Sequence, residues 1–259
     1  MLQRARAAIK SVPFLHKILL PAATLFRRAR DIWQRRELRR YCSYLPQIVP
    51  EPVFVKVGAN DGITGDPCSD ILLSNTKWKG LLIEPVPYCF ERLRATFHDG
   101  RRFSLEQVAI GATNGEDTFY YVDPKALESM PKLPSWFDQL GSFDKGHIVK
   151  HLNGVLAPFI IECSVEVRAL GDVLKRNGIR DVHLLHLDTE GHDYEVLKTL
   201  DFANQAPEAI LVEHKHLADI QKTEMLYLLR KHGYSVHDCG GDYFAVNGKA
   251  NQRLQRRAS

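Results

Sequence analysis

A series of short apolar segments, each ending at a glycine turn or an acidic residue, constrains this chain more than any other feature. The segment 53–57 leads into Gly58–Gly62, and the segment 80–83 leads directly into Glu84. Apolar runs of this length, bounded by turn residues and separated by amphipathic stretches, are typical of buried strands joined by helices. The sequence therefore predicts an α/β protein built on an open, mostly parallel sheet.

The alternation of strands and helices can be followed to the end of the chain. Parallel strands are predicted at 53–57, 80–84, 104–110, 182–188 and 209–213, and helices at 66–73, 87–97, 170–177, 194–200 and 217–232. Segments 234–237 and 243–246 flank Gly240 and Gly241, a pair that is typical of a tight turn. We expect these two segments to form a terminal antiparallel hairpin.

The segment between the third and fourth parallel strands departs from this alternation. Strands are predicted at 117–122 and 160–168, and residues 124–159 between them contain four prolines and no clear periodicity. A long irregular segment inside a compact domain is usually functional. Within this insertion, residues 117–168, we expect residues 124–159 to act as a lid over an acceptor substrate.

Charge divides the chain into an arm and a body. Residues 1–40 carry a net charge of +9. Because the whole chain carries +4, the remaining residues carry a net charge of −5. We predict a basic, partly helical extension over 1–45, a domain over 46–248 and a basic tail over 249–259. The extension is either solvated or in peripheral contact with a membrane surface, and the acidic body argues against nucleic acid as a partner.

Two classes of protein are excluded by the apolar segments and the cysteines. No stretch reaches the roughly 18 apolar residues needed to span a bilayer, since the best candidate, 12–26, contains His16 and Lys17. The five cysteines are widely spaced and form no CxxC pair, which argues against a disulfide framework and a structural zinc site. These features favour a cytoplasmic protein.

The residues that follow the predicted strands are candidates for ligand binding, because open α/β sheets bind ligands beyond the carboxyl ends of their strands. The glycine turn allows backbone to approach a ligand, Glu84 suits ribose hydroxyls, and Ala109 suits an adenine plane. Neither GxGxxG nor a P-loop is present, so a single nucleoside with a carboxylate tail fits better than a dinucleotide. The candidate cofactor residues are Gly58, Ala59, Asn60, Asp61, Gly62, Glu84, Pro85 and Ala109.

Five motifs in this order resemble the FkbM-type methyltransferases over residues 53–246. They are Phe54–Gly62, Trp78-x-Gly80–Pro85, Val108-Ala109, Leu184–Asp193 followed by Val196-Leu197, and Ile210–Glu213. The resemblance implies a class I, Rossmann-like fold with a seven-stranded sheet, and O-methylation by S-adenosyl-L-methionine of a hydroxyl in a sugar, glycolipid or related small molecule. It places the glycine turn at the methionine end of the cofactor, Glu84 at the ribose and Ala109 at the adenine.

Lys56 and His186 depart from the pattern that the resemblance implies. Many class I methyltransferases carry an acid at the position of Lys56, and the strand before the DxEG element often carries lysine at the position of His186. A lysine beside the positive charge of S-adenosylmethionine is repulsive. We therefore expect Lys56 to point away from the cofactor or to pair with Asp61 or Asp66.

The candidate catalytic residues are Asp188, Glu190, His192 and His214. Transfer of a methyl group to a hydroxyl requires an aligned acceptor and a group that removes its proton. The carboxylates can bind substrate or act as the base, and imidazoles titrate near neutral pH. Alternatively, the carboxylates only cap the helix near Asp193, and His214 only ends a strand. Asp188 and Glu190 can also bind Mg²⁺, but spacing fixes no third ligand, so no metal is predicted.

Two other classes of function remain open from the sequence. A nicotinamide-dependent oxidoreductase uses a related sheet, although the single short glycine turn argues against it. A degenerate methyltransferase that only binds a membrane surface through its basic arm is favoured by Lys56. The oligomeric state is not indicated.

Overall fold

The computed structural model describes residues 36–98 and 100–255. The strands are β1 (Val53–Val57), β2 (Lys79–Ile83), β3 (Phe103–Glu106), β4 (Ala109–Ile110), β5 (Gly115–Val122), β6 (Ile160–Arg168), β7 (Leu184–Leu187), β8 (Ala209–Glu213), β9 (Ser235–Asp238) and β10 (Asp242–Val246). The helices are α1 (Arg36–Ile48), α2 (Ser69–Ser74), α3 (Pro87–Thr96), α4 (Ala126–Ser129), α5 (Lys145–Val149), α6 (Leu170–Arg176), α7 (Asp193–Lys198), α8 (Asp219–Lys231) and α9 (Gly248–Gln255), with 3₁₀ turns at Phe137–Gln139, His151–Gly154 and Ala157–Phe159.

The main sheet has seven strands in the order β3-β2-β1-β7-β8-β10-β9. The first five strands in this order are parallel, and β10 pairs antiparallel with both β8 and β9. Every residue of β7 and β8 is buried, as expected for strands covered by helices on both faces. The predicted class I methyltransferase fold, with its terminal hairpin, is confirmed.

Helix α1 packs on one face of the sheet. Leu38, Tyr41 and Leu45 are buried in the same apolar cluster as Phe54 of β1, and the Tyr41 hydroxyl donates to the His183 carbonyl at 2.8 Å. The part of the predicted extension over 36–45 is therefore packed rather than solvated. The predicted membrane contact of the first 35 residues lies outside the described residues, and no helix of the described part is long and apolar enough to cross a membrane.

The third predicted strand, 104–110, is divided in the structure. After Glu106 the chain leaves the main sheet, and β4 joins a second sheet in the order β4-β6-β5. The prediction of one continuous strand was wrong because an apolar run does not reveal which sheet each half joins. The helix predicted from Asp66 begins at Ser69 instead, and Asp66 Oδ1 accepts the N–H of Cys68 at 2.6 Å in the turn before it.

The insertion is folded around apolar residues of its own. Strands β5 and β6 pair antiparallel along their whole shared length. Val122, Phe137, Leu140, Ile148 and Leu156 form a buried cluster that is separate from the core of the main sheet. The sequence shows no periodicity here because the helices and turns are only three to five residues long.

Candidate active site

A cleft opens beyond the carboxyl ends of β1, β2 and β7. Strand order reverses between β1 and β7, which is where open α/β sheets bind their ligands. Seven of the twelve predicted site residues line the cleft: Gly58, Asn60, Glu84, Pro85, Ala109, Asp188 and Glu190. Phe119, Asp138 and Phe143 of the insertion form another part of its wall.

The two glycines of the turn after β1 serve close packing. Gly58 has a φ of +78°, and a Cβ at this position would lie 1.8 Å from the Asp188 carbonyl oxygen. A Cβ on Gly62 would lie 2.4 Å from the ring of Phe97, so Gly62 faces the core instead of the cleft. Ala59 is also in the core. Gly58 is therefore the glycine that lets the loops after β1 and β7 meet beside the cleft.

Asn60 connects the turn to the rest of the cleft. Its backbone N–H donates to Glu84 Oε2 at 2.7 Å, and its side-chain Nδ2 donates to the Asp138 carbonyl at 3.2 Å. Asp61, by contrast, accepts hydrogen bonds from Ile63 and Thr64 at 2.6–2.9 Å. Asp61 thus stabilises the turn itself and does not line the cleft.

Glu84 is buried at the end of β2 with its carboxylate facing two backbone donors. Its Oε1 accepts the N–H of Val86 at 2.9 Å, and its Oε2 accepts the N–H of Asn60. Burial raises the pKa of Glu84 to about 7, although these two hydrogen bonds act to lower it. Each oxygen keeps a lone pair, so the carboxylate can still accept hydroxyl groups of a ligand.

Lys56 forms a buried ion pair with Asp66. The two side chains are 5% and 3% exposed, and His186 Nδ1 lies 3.5 Å from Asp66 Oδ2. Burial acts to raise the pKa of Asp66, but the charge of Lys56 and the contact with His186 hold it well below its usual value. The positive charge of Lys56 is thereby balanced, and its departure from the family pattern no longer argues against a cationic cofactor.

The loop after β7 presents two carboxylates with different surroundings. The Asp188 carboxylate is half-buried, lines the cleft and has no hydrogen-bond partner among the described residues. Glu190, at a left-handed φ of 53°, accepts from His147 Nε2 at 3.0 Å and lies 3.1 Å from His216 Nε2. Burial acts to raise the pKa of Glu190, and the two histidines lower it to about 2.

Asp193 stabilises this loop by accepting hydrogen bonds from its backbone. It is fully buried, and its carboxylate accepts the N–H groups of Thr189 at 2.8 Å and Gly191 at 3.2 Å. Burial, followed by the charge of Asp188, raises the pKa of Asp193 to about 7. No side chain caps α7, so neither Asp188 nor Glu190 has the capping role that the sequence left open.

The two histidines predicted as catalytic lie outside the lining of the cleft. The His192 ring is 5.0 Å from the ring centroid of Phe143. His214 stacks on Tyr243 at 3.9 Å, and its backbone N–H donates to the Gly241 carbonyl at 2.9 Å. This geometry agrees with a strand-end role for His214.

The structure adds residues that the sequence did not single out. Asp138 lines the cleft. Arg92 donates a hydrogen bond to Asp138 Oδ2 at 2.7 Å. Asp138 Oδ1 is buried without a hydrogen-bond partner in the described part of the chain. His147 forms a hydrogen bond with Glu190. Both Asp138 and His147 belong to the aperiodic insertion, so no pattern in the sequence could place them. His216 could have been found, because it lies three residues beyond the end of β8.

Comparison with known proteins identifies the family. Residues 56–236 match the methyltransferase FkbM domain. The chain belongs to the FkbM methyltransferase family. This confirms the resemblance seen in the motifs and shows a methyltransferase dependent on S-adenosylmethionine. No curated protein matches the chain.

Several solved structures are similar to this chain at low sequence identity. Precorrin-6y C5,15-methyltransferase of Geobacter metallireducens is 10% identical over 80% of this chain and 83% of that one, with a TM-score of 0.37. The fibrillarin pre-rRNA processing protein of Methanococcus jannaschii is 12% identical over 76% and 66%, with a TM-score of 0.39. A TehB-like SAM-dependent methyltransferase of Corynebacterium glutamicum is 9% identical over 87% and 97%, with a TM-score of 0.34.

Proposed function

We propose that this FkbM-family methyltransferase methylates a hydroxyl group of a sugar, glycolipid or related small molecule. The observation that carries the proposal is the Asp188 carboxylate, which lines the cleft without a hydrogen-bond partner among the described residues. A hydroxyl is a weak nucleophile until its proton is removed, and an available carboxylate can remove it. An acceptor that is already a good nucleophile has no need of such a group.

The residues of the cleft suit S-adenosylmethionine. Glu84 would accept the ribose hydroxyls, Ala109 would face the adenine, and the turn at Gly58 and Asn60 would hold the methionine end. The unpartnered Oδ1 of Asp138 offers one further acceptor at the wall. When bound, S-adenosylmethionine supplies an electrophilic methyl group on its sulfonium.

The chain's own groups then have separate tasks. Asp188 orients the acceptor hydroxyl and takes up its proton. Glu190 stays ionised and fixed by His147 and His216, so it contributes negative charge at the edge of the cleft. Phe119 and Phe143 close the insertion side of the cleft with apolar surface, which limits access of water to the reacting groups.

The proposal is tested with methyl-labelled S-adenosylmethionine and the full chain. Sugars and glycolipids with free hydroxyls are compared with the same compounds carrying blocked hydroxyls, and amines serve as a third class. We expect label in an alkali-stable ether only with the free hydroxyls. Transfer to amines alone would contradict O-methylation, as would the absence of transfer from a chain that binds S-adenosylhomocysteine.

The affinity for S-adenosylhomocysteine is expected to depend on the ionisation of Glu84. The ionised carboxylate accepts ribose hydroxyls best, and its pKa is about 7. Affinity should therefore rise as the pH increases through about 7 and become constant above it. Glu84→Ala should weaken binding by about 5–150-fold, which corresponds to roughly 1–3 kcal/mol for unpaired hydroxyls.

Calorimetric titration at several pH values checks both parts of this prediction. Glu84→Gln removes the ionisation while keeping the shape, so its affinity should not vary through this range. Glu91→Gln changes an exposed glutamate of α3 and serves as the matched control. A Glu84→Ala chain with unchanged affinity would remove Glu84 from the ribose site.

A further inference from the structure

Three histidines and two glutamates from separate segments meet at one edge of the cleft. His147 and His151 belong to the insertion, in α5 and in the turn that follows it. Glu190 follows β7, Glu213 ends β8, and His216 lies three residues further on. The ligating atoms of His147, His151 and His216 lie within 4.8 Å of one another, and so do those of Glu190, Glu213 and His216.

The Nε2 atoms of two of the histidines both lie close to one carboxylate oxygen. His147 Nε2 and His216 Nε2 lie 3.0 Å and 3.1 Å from Glu190 Oε2. Ligands that are each about 2.0–2.1 Å from a tetrahedral zinc ion lie roughly 3.3 Å apart. Once the Nε2 atoms have released their protons, an outward shift of a few tenths of an ångström converts this contact into one face of a metal site.

A fourth ligand is available on either side of this face. Glu213 Oε2 lies 3.8 Å from His216 Nε2 and is a buried acceptor without a hydrogen-bond partner in the described part of the chain. His151 Nδ1 lies 2.7 Å from the His147 carbonyl. If Nδ1 carries the proton of this hydrogen bond, Nε2 keeps its lone pair, and a hydrogen bond to the other ring nitrogen is how metal-binding histidines are commonly oriented.

The charges around the cluster favour a bound cation. Asp188, Glu190, Asp193 and Glu213 all lie in the loops after β7 and β8 or at their edges. Among these loops Lys215 supplies one positive charge, and it is paired with Glu213 Oε1. Buried carboxylates that outnumber their cationic partners are costly unless a cation balances them.

We propose that His147, His216 and Glu190 bind one zinc-type divalent ion, with Glu213 or His151 as the fourth ligand. Imidazole nitrogen combined with carboxylate oxygen suits zinc and its neighbours, whereas Mg²⁺ and Ca²⁺ prefer oxygen ligands. The ion fastens the insertion to the main sheet beside the cleft. The site depends on no assumption about the methyl acceptor.

The test uses the full chain without an affinity tag, stripped by a chelator and titrated with Zn²⁺. We expect one saturable site and a rise in the unfolding temperature on addition of zinc. His216→Ala and His147→Ala should each weaken binding at least tenfold. His237→Ala removes an exposed histidine of β9 and should leave the affinity unchanged.

Cobalt(II) provides a readout of the coordination geometry. A four-coordinate site gives intense visible absorption, which we expect in the parent chain and not in His216→Ala. The half-buried His216 tolerates truncation, so this variant, together with His151→Ala, carries the test if His147→Ala does not fold. Absence of a saturable site, or unchanged affinity in His216→Ala, overturns the proposal. S-adenosylhomocysteine binding, measured on the same samples, separates this outcome from a failure of the cofactor site.

Discussion

Asp188→Asn is expected to lower the turnover of methyl transfer by about 10²–10⁴-fold, the range typical of a lost general base. Asparagine keeps the shape and polarity of the side chain but cannot take up the proton of the acceptor hydroxyl. The measurement is the initial rate of label transfer at saturating S-adenosylmethionine. Raising the pH should recover part of the rate, because hydroxide in solution can then replace the missing base.

The same variant should bind S-adenosylhomocysteine with nearly unchanged affinity. The cofactor is assigned to Glu84 and the turn after β1, and Asp188 makes no hydrogen bond to the side chains of either in the structure. Asp181→Asn makes the same chemical change at an exposed position before β7 and serves as the control. Turnover equal to that of the parent chain would exclude Asp188 as the base, and a parallel loss of cofactor affinity would assign it to binding.

Lys56→Met is expected to lower the free energy of unfolding by about 3–5 kcal/mol, because it leaves Asp66 buried without its cationic partner. Urea denaturation with a constant slope measures the change. Adding Asp66→Leu should restore much of the loss, since an apolar pair needs no charge compensation. Lys79→Met breaks an exposed pair with Glu51, and such pairs contribute about 1 kcal/mol or less.

The acid limb of unfolding provides an independent check on this pair. The folded pKa of Asp66 lies below its ordinary value of about 3.9. The stabilisation is therefore complete above about pH 4 and is lost as the pH falls from there towards the folded pKa. Asp66→Asn should flatten this part of the pH dependence. A Lys56→Met chain as stable as the parent, with the same acid limb, would show that the pair contributes nothing.

Local patterns were sufficient to predict that several strand-end residues meet at one cleft. Gly58, Glu84 and Asp188 each follow an apolar run, and a parallel sheet brings the ends of such runs to one edge. Their meeting in space therefore follows from strand alternation alone. The positions of Asp61 and Gly62 could not be judged in this way, because the turn after β1 directs neighbouring residues to opposite sides.

The partner of Lys56 and the contacts of Glu190 were decided only in the folded chain. The sequence offered both Asp61 and Asp66 as partners, and only the course of the loop before α2 selects Asp66. His147 is 43 residues from Glu190 in the chain and lies in a segment without periodicity. Short helices and turns bury too few residues in a row to produce a repeating pattern.

The sequence by itself thus determined the sheet, its terminal hairpin, the family and the residues at the strand ends. The strands could be predicted because burial of a strand requires consecutive apolar residues, and such runs are visible in the sequence. Only the tertiary structure decided that the third strand divides between two sheets, that Lys56 is neutralised, and that His147 and His216 both contact Glu190. These contacts join distant segments through single polar side chains, and a single polar side chain gives no sign in the sequence of the residue it will meet.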